Sequence, residues 1–399
     1  MNARYYRALL GQPRRLAVMD GAIRACVEEG DVVVEVGTGV GTYALMAARA
    51  GASVVYAVEP GRVSEAARRI VRANGMEDRV VFLKGRGEEV ELPEPADVLI
   101  TEDFSPWFYD GHLNELLLQA RPRLLKPSGR TLPRRVGLEA VPWGGPPPSP
   151  PDPPPAGTVH DPRWRLRAGG GDLDLEDVQG LDLSLMEGLA ANALDPGGIP
   201  PEGPLSEPVT LMEWDLAVME EGSYEGEGRW TIRRDGRIWG LGLWMEIEWA
   251  PGRAYSNAPE SGEASWGQGH LPVTPPLEVR EGAVVRGGAA ARSDPSGRVW
   301  WSWHLRVEGE EERVREGNTF RSLPLEERRR GLARDRRLPL SRWAAADAFL
   351  LEQLTRSTLG EAARAAAASF PGLFRDTDHA EGRAARLRER YLQLPAEEE

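Results

Sequence analysis

The chain of 399 residues holds a single cysteine, Cys26, so no internal disulfide can form and no thiolate metal centre can be assembled. One unpaired thiol fits a reducing compartment, and a cytoplasmic protein is expected. No stretch of about 20 apolar residues occurs that could span a bilayer as a helix. The opening Met1-Asn2-Ala3-Arg4 leads into no apolar run of signal-peptide length, so neither export nor membrane insertion is expected. Positive charge is also short: 49 Lys and Arg stand against 62 Asp and Glu, a formal net charge of −13. That sign opposes a general phosphate-binding footprint; solubility is its simplest consequence, and nucleic acid is not the expected partner. With 28% charged and 41% hydrophobic residues, the composition is that of a soluble globular protein. A chain of this length exceeds one core, which predicts two or three domains.

From residue 31 to about 141, short Val-rich runs alternate with amphipathic stretches, the pattern of βαβ units. Strands are expected at 32–36, 54–58, 80–83 and 97–100, with helices at 41–50 and 64–74. Uninterrupted Val runs suit parallel strands covered on both faces. The segment GGPPPSPPDPPPAG at 144–157 can hold neither helix nor ladder and reads as a connector. Short alternating strands follow, at 209–216, 229–233, 238–249, 276–280 and 299–307, as in an antiparallel sandwich or barrel. Residues 342–391 are rich in Ala, Leu and Arg at helical spacing. The expected organisation is a nucleotide-binding α/β domain at 1–143, a connector at 144–206, a β-barrel-like domain at 207–320 and a helical module at 338–393.

The loop Glu35-Val36-Gly37-Thr38-Gly39-Val40-Gly41 follows a strand and opens a helix, a place where glycines let the backbone approach a ligand and a helix N-terminus faces it. Glu59 ends the next strand about 20 residues on, where a carboxylate can accept from both hydroxyls of a ribose. A packing turn in an unrelated α/β fold is the other reading of such a loop. The third glycine comes only two residues after the second, which differs from the G-x-G-x-x-G of dehydrogenases and resembles the first motif of class I methyltransferases.

Further segments sharpen the resemblance. VVVEVGTGVGTYALMAARAG (32–51), YAVEP (56–60), KGRGEEVELP (84–93) and LLKPSGRTLP (124–133) stand in the order and near the spacing of the protein arginine methyltransferases. The chain resembles a divergent, bacterial-type member of that family over about 300 residues, ending near Phe320. The resemblance implies an α/β fold, a Rossmann-like class I methyltransferase domain followed by an antiparallel β-barrel-like domain; outside it, the spacing of the tail itself predicts a small helical or winged-helix-like module. It implies S-adenosyl-L-methionine as cofactor, with Glu35, Gly37 and Gly39 on its methionine side, Glu59 on its ribose, Glu88 facing its adenine and Arg24 pairing with its carboxylate. Tyr5 and Tyr6 fall where the family has an aromatic pair on a helix that folds over the cofactor.

Residues 101–110 resemble the family's double-glutamate hairpin, in which two carboxylates clamp a guanidinium and aim a nitrogen lone pair at the sulfonium methyl, so that positioning and charge carry the catalysis. Glu102 takes the first position. The second falls on Gly111, with Asp110 one residue earlier, and Glu102 and Asp110 are the catalytic candidates. Trp107 lies on the substrate side, with Ser265 and Trp266 where the family has a Thr-His-Trp turn; Ser265 replaces its histidine, and nearby His270 reads as a barrel residue. The expected acceptor is a protein or peptide arginine. Another nucleophile on the same scaffold, or a catalytically silent cofactor-binding adaptor, are the alternatives. The acidic-apolar stretch 172–195 allows a dimerisation arm and hence a homodimer. Arg383, Arg386, Arg388 and Arg390 form a basic run in the terminal module.

Overall fold

A computed structural model describes residues 3–110, 113, 115–145, 189, 192–197, 199–220, 222–261, 267–293, 298–310, 314–322, 342–371, 373–374 and 376–391. Most of the stretch considered as a dimerisation arm, together with Gly111, Ser265 and Trp266, lies outside the described residues. The chain divides into two compact units, 1–325 and 326–399.

The first unit begins with helices α1 (Ala3–Leu10) and α2 (Pro13–Cys26). Then come β1 (Val32–Val36), α3 (Thr42–Ala50), β2 (Val54–Val58), α4 (Val63–Ala73), β3 (Val80–Leu83) and β4 (Ala96–Thr101). A wide helical turn at Glu115–Ala120 runs through α5 (Arg121–Leu124) into β5 (Leu125–Leu132). The five strands pair in parallel in the order β3-β2-β1-β4-β5. Alternate residues of the Val runs enter two separate cores. Val33, Val55, Ala57, Val98 and Ile100 pack on the side of α2 and α3, while Val32, Val34, Val36, Val58 and Leu99 pack against Leu116, Ala120 and Leu124. Burial on both faces is the reason those runs show no polar alternation.

β6 (Arg135–Trp143) leaves this sheet and joins a second, antiparallel one. Its partners are β7 (Asp195–Gly197), β8 (Val209–Asp215), β10 (Gly236–Ala250), β11 (Arg253–Ser256) and β12 (Gln268–Val279). A third sheet holds β15-β14-β13-β9, formed by β9 (Ser223–Thr231), β13 (Val284–Ser293), β14 (Val299–Val307) and β15 (Val314–Asn318). Trp230, on β9, donates its ring N–H to the Ala140 carbonyl of β6 at 3.0 Å, tying the two antiparallel sheets together. The core is continuous from the α/β part into these sheets.

The second unit holds, among the described residues, α6 (Arg342–Leu354), α7 (Leu359–Ser369) and α8 (Thr377–Tyr391) around an alanine-rich core of Ala346, Leu350, Ala362, Ala363, Ala366, Ala380 and Ala384. Thr358 and Glu361 form a reciprocal cap at the start of α7. Arg383, from the basic run, spends its guanidinium fork on Asp347 of α6. No described helix is long and apolar enough to cross a membrane.

Candidate active site

In an open parallel sheet, ligands sit beyond the carboxyl ends of the strands, where the strand order reverses. The glycine loop after β1, Glu59 after β2, Glu88 after β3 and Glu102 after β4 all lie at those ends. With the order β3-β2-β1-β4, Glu88, Glu59, the glycine loop and Glu102 are set out in that sequence along one edge, neighbouring strands being about 4.8 Å apart.

The loop is built on left-handed backbone at Gly37 (φ 79°), Gly39 (φ 54°) and Gly41 (φ 83°), conformations that L side chains adopt only with strain. Gly39 is also closely covered, since a Cβ there would lie 2.8 Å from the Tyr6 ring. Helix α1 thus folds over the loop, with Tyr5 set edge-on against Tyr6. Burial, then the nearby Glu59 carboxylate, pushes the Tyr6 hydroxyl up to about 12. Glu59 is held by two backbone donors, Gly39 N–H at 3.0 Å and Gly61 N–H at 2.7 Å, one on each oxygen. Each oxygen keeps a lone pair for a further donor. Glu35 is buried and accepts a 2.5 Å bond from the Thr38 hydroxyl. Burial drives its carboxyl up to about 8, against the opposing pull of the Thr38 bond. Glu88 pairs with Arg86 on the loop after β3.

Glu102 is the centre of a second cluster. Arg15 of α2 reaches it with two arms of its fork, Nε to Oε1 at 2.6 Å and Nη2 to Oε2 at 2.5 Å. Tyr43, in the first turn of α3, donates to Oε2 at 2.7 Å and accepts from Arg15 Nη2 at 2.8 Å. The side chains of Arg15 and Glu102 are only 5% and 14% exposed, so the pair is largely shielded from water. Burial alone would lower the Arg15 pKa, but the bond to Glu102 more than reverses this. The hairpin beyond Glu102 is anchored by its aromatic residues. Phe108 packs on Trp214 with ring centroids 4.9 Å apart, and Tyr109 stacks on the same indole. Phe108 adopts φ 63°, a conformation costing about 1–3 kcal/mol in a non-glycine residue. Complete burial of Phe108 and Tyr109, together worth roughly 3–6 kcal/mol, offsets it.

No protein-family model matches the chain. An arginine N(omega)-methyltransferase of Streptomyces achromogenes subsp. streptozoticus is 30% identical over 295 residues, covering 71% of this chain and 74% of that one. The chain belongs to the arginine methyltransferase family. A probable protein arginine N-methyltransferase 6 of Arabidopsis thaliana is also 30% identical, over 260 residues, 63% of this chain and 55% of the relative. Among solved structures, the Trypanosoma brucei PRMT1 enzyme-prozyme heterotetrameric complex with AdoHcy aligns with a TM-score of 0.65 at 20% identity, covering 78% of this chain and 97% of that one. Arabidopsis thaliana protein arginine methyltransferase 10 aligns at 0.62 and 20%, covering 80% and 100%. The shared fold is the Rossmann-like domain followed by a β-barrel.

Within this family member, the structure brings Tyr6, Glu35, Gly37, Gly39, Glu59 and Glu102 to one end of the parallel sheet. Arg24 is not among them. It is 62% exposed and pairs with Asp20, which also binds Arg49 in the last turn of α3, the end away from the glycine loop. The buried arginine of α2 is Arg15. It precedes Arg24 by nine residues, about two and a half helical turns, and so points from the opposite face. A signal for it was present in the pattern: Arg15, Met19, Ala22 and Ile23 recur at helical spacing and are the buried residues of α2. Asp110 also differs from expectation. Its Oδ1 accepts the Leu113 N–H at 2.9 Å, a capping bond for the helical turn that follows. Trp107 lies against the barrel, its ring 3.4 Å from where a Cβ on Gly269 would stand. His270 is 2% exposed on β12, and burial alone lowers it to about 4.

Proposed function

We propose that this enzyme transfers a methyl group from S-adenosylmethionine to a guanidinium nitrogen of a peptide or protein arginine, and that Glu102 holds the acceptor. The observation carrying this is the grip of Glu102 on a guanidinium already present: both oxygens take up the fork of Arg15, the bidentate pattern that suits carboxylate to arginine. A carboxylate so placed at the end of β4, beside the glycine loop, is built for this acceptor chemistry.

The residues at the strand ends fit the cofactor. The left-handed loop offers bare backbone at a helix N-terminus, Glu59 is already oriented with spare lone pairs, and Tyr6 covers the loop. When bound, S-adenosylmethionine supplies an electrophilic methyl on a positively charged sulfur. Glu59 would then accept the ribose hydroxyls and Glu88 would face the adenine. Arg15 takes the carboxylate-pairing part that the resemblance assigns to Arg24. Glu102 localises the acceptor's charge on one nitrogen and leaves the other's lone pair available. Asp110, committed to Leu113, contributes less than a second clamp residue would.

We further propose the catalytic unit to be residues 1–143, with Trp107 of its hairpin and Ser265 and Trp266 of the barrel at 207–320 supplying acceptor contacts, and a cytoplasmic homodimer as the working form. The multimeric state of the Trypanosoma relative supports an assembly. The test is an assay with isotopically labelled S-adenosylmethionine and three acceptor pools, free arginine, arginine peptides, and lysine and histidine peptides, read by mass spectrometry. Label on arginine in the peptide pool is the expected result. The Streptomyces relative is named for arginine itself, so label confined to free arginine would move the substrate class without moving the chemistry. Label on lysine or histidine would reject the reading, and no label with intact cofactor binding would favour the silent adaptor.

A further inference from the structure

We propose that Tyr43 is a positioning residue for Glu102: its hydroxyl fixes one carboxylate oxygen and leaves the other for the acceptor guanidinium. This rests on the reading of Glu102 as the acceptor's anchor. The need for such a residue follows from the chemistry of the pair. Arg15 and an acceptor arginine present the same five donors in the same fork, so they compete for the same two oxygens. To the extent that Arg15 yields to an incoming guanidinium, or is drawn to a cofactor carboxylate, it cannot also be what keeps Glu102 aligned.

Tyr43 has what that task requires. It comes from a different element, α3, it is 6% exposed, and it is neutral, so it does not compete for the acceptor's place. Its hydroxyl has one proton, donated to Glu102 Oε2 at 2.7 Å, and accepts from Arg15 Nη2 at 2.8 Å. A helix position packed in a core is ordinarily filled by an apolar side chain, because a buried hydroxyl without partners is costly. Here both described partners of the hydroxyl belong to the ion pair. Tyr43 also follows Gly41 by two residues, so the ring is tied to the end of the glycine loop. Whatever settles the loop settles Tyr43 and, through it, Glu102.

The charged and titratable groups facing Glu102 are Arg15 from α2, Tyr43 from α3 and Glu35 from β1, with Asp103 next in the chain. A donor to a carboxylate oxygen also fixes its orientation, so removing the Tyr43 hydroxyl leaves Glu102 held by Arg15 alone. A packing role for the ring alone would cost the same whether or not Glu102 carries its charge.

The experiment compares Tyr43→Phe with Glu102→Gln in the full-length enzyme, using an arginine peptide acceptor. For Tyr43→Phe, kcat/KM for the peptide is expected to fall about 10- to 100-fold, the loss of one bond to a charged group. The cofactor Kd should stay within about threefold. On the residual rate of Glu102→Gln, the same change should add less than about twofold, because the hydroxyl acts through the missing charge. Wild-type turnover by Glu102→Gln would reject the reading of the site itself. A crippled Glu102→Gln beside a Tyr43→Phe enzyme with wild-type kcat/KM would leave the site standing and overturn the role of Tyr43. Loss of cofactor binding in step with turnover would also overturn it. Should the Phe variant fold poorly, 3-fluorotyrosine at position 43, which keeps the hydroxyl and both its bonds, is expected to hold kcat/KM within about threefold of wild type, and a fall of about tenfold or more overturns the proposal.

Discussion

Replacing Glu102 by glutamine keeps the side chain's shape and removes its charge, and its consequences can be worked from the contacts. Three bonds converge on the carboxylate, two from Arg15 and one from Tyr43. The amide oxygen can still accept, but the new NH2 group must face donors, and the Arg15 charge is left 5% exposed without its partner. Breaking a buried pair in this way costs about 3–5 kcal/mol; with Glu102 14% exposed, the lower end applies, roughly 3 kcal/mol. For a unit of 325 residues that corresponds to a fall of about 4–5 °C in Tm. The same charge holds the acceptor, so at saturating cofactor the rate should drop about a hundredfold to a few thousandfold. A companion variant separates the two effects. Arg15→Met with Glu102→Gln removes the orphaned cation, so much of the lost stability should return in thermal unfolding while turnover stays low. Wild-type turnover in the single variant would refute the acceptor role. Recovery of activity together with stability in the double variant would show that Glu102 acts only by holding Arg15 in the fold.

Other outcomes follow from the cofactor end and the barrel. Glu59→Ala should weaken S-adenosylmethionine binding by about 1–3 kcal/mol in calorimetry, the worth of charged hydrogen bonds, and an unchanged affinity would move the ribose contact elsewhere. Gly39→Ala combines a strained φ of 54° with a ring 2.8 Å away, so it should displace Tyr6 and weaken cofactor binding by about 1–3 kcal/mol; equal affinity would remove that contact from the site. Glu35, raised from an ordinary 4.5 to about 8, is protonated at neutral pH, and a cation settling beside it favours ionisation. Cofactor binding at pH 7 should therefore release a proton, seen as a calorimetric enthalpy that varies with buffer; Glu35→Gln should abolish the variation, and a buffer-independent wild-type enthalpy would contradict the placement. His270, lowered from 6.5 to about 4, stays neutral in the fold while the unfolded chain takes up a proton. Stability is then full above about pH 6.5 and falls as pH drops towards 4, by at most about 1.4 kcal/mol per unit, and an equally steep fall in His270→Leu would refute this source.

The parts of this protein legible in its sequence are those whose physics is local. A strand run into a glycine loop into a helix needs only neighbouring residues, and β1 and β2 run over Val32–Val36 and Val54–Val58 as the Val runs predict. Glu59 was legible because a fixed strand spacing carries it to the loop. What the sequence left undecided depends on contacts between distant segments. After Val284 and Val285, β13 reads mostly as glycine and alanine, VVRGGAAARS, without the further branched residues of a strand. It is one because close neighbours demand small residues: a Cβ on Gly287 would lie 2.2 Å from the His304 carbonyl, and one on Gly288 2.3 Å from that of Gly226. β12 runs past Pro275 and Pro276 because its ladder to β10 is interrupted between Ile238 and Gly240. Asp110 has the charge for a clamp, yet the turn behind it claims that carboxylate for Leu113. The choice between Arg15 and Arg24 was the most consequential. Both lie on α2 with the same side chain, and only the packing of that helix against the sheet decides which guanidinium is buried on Glu102 and which is left in water.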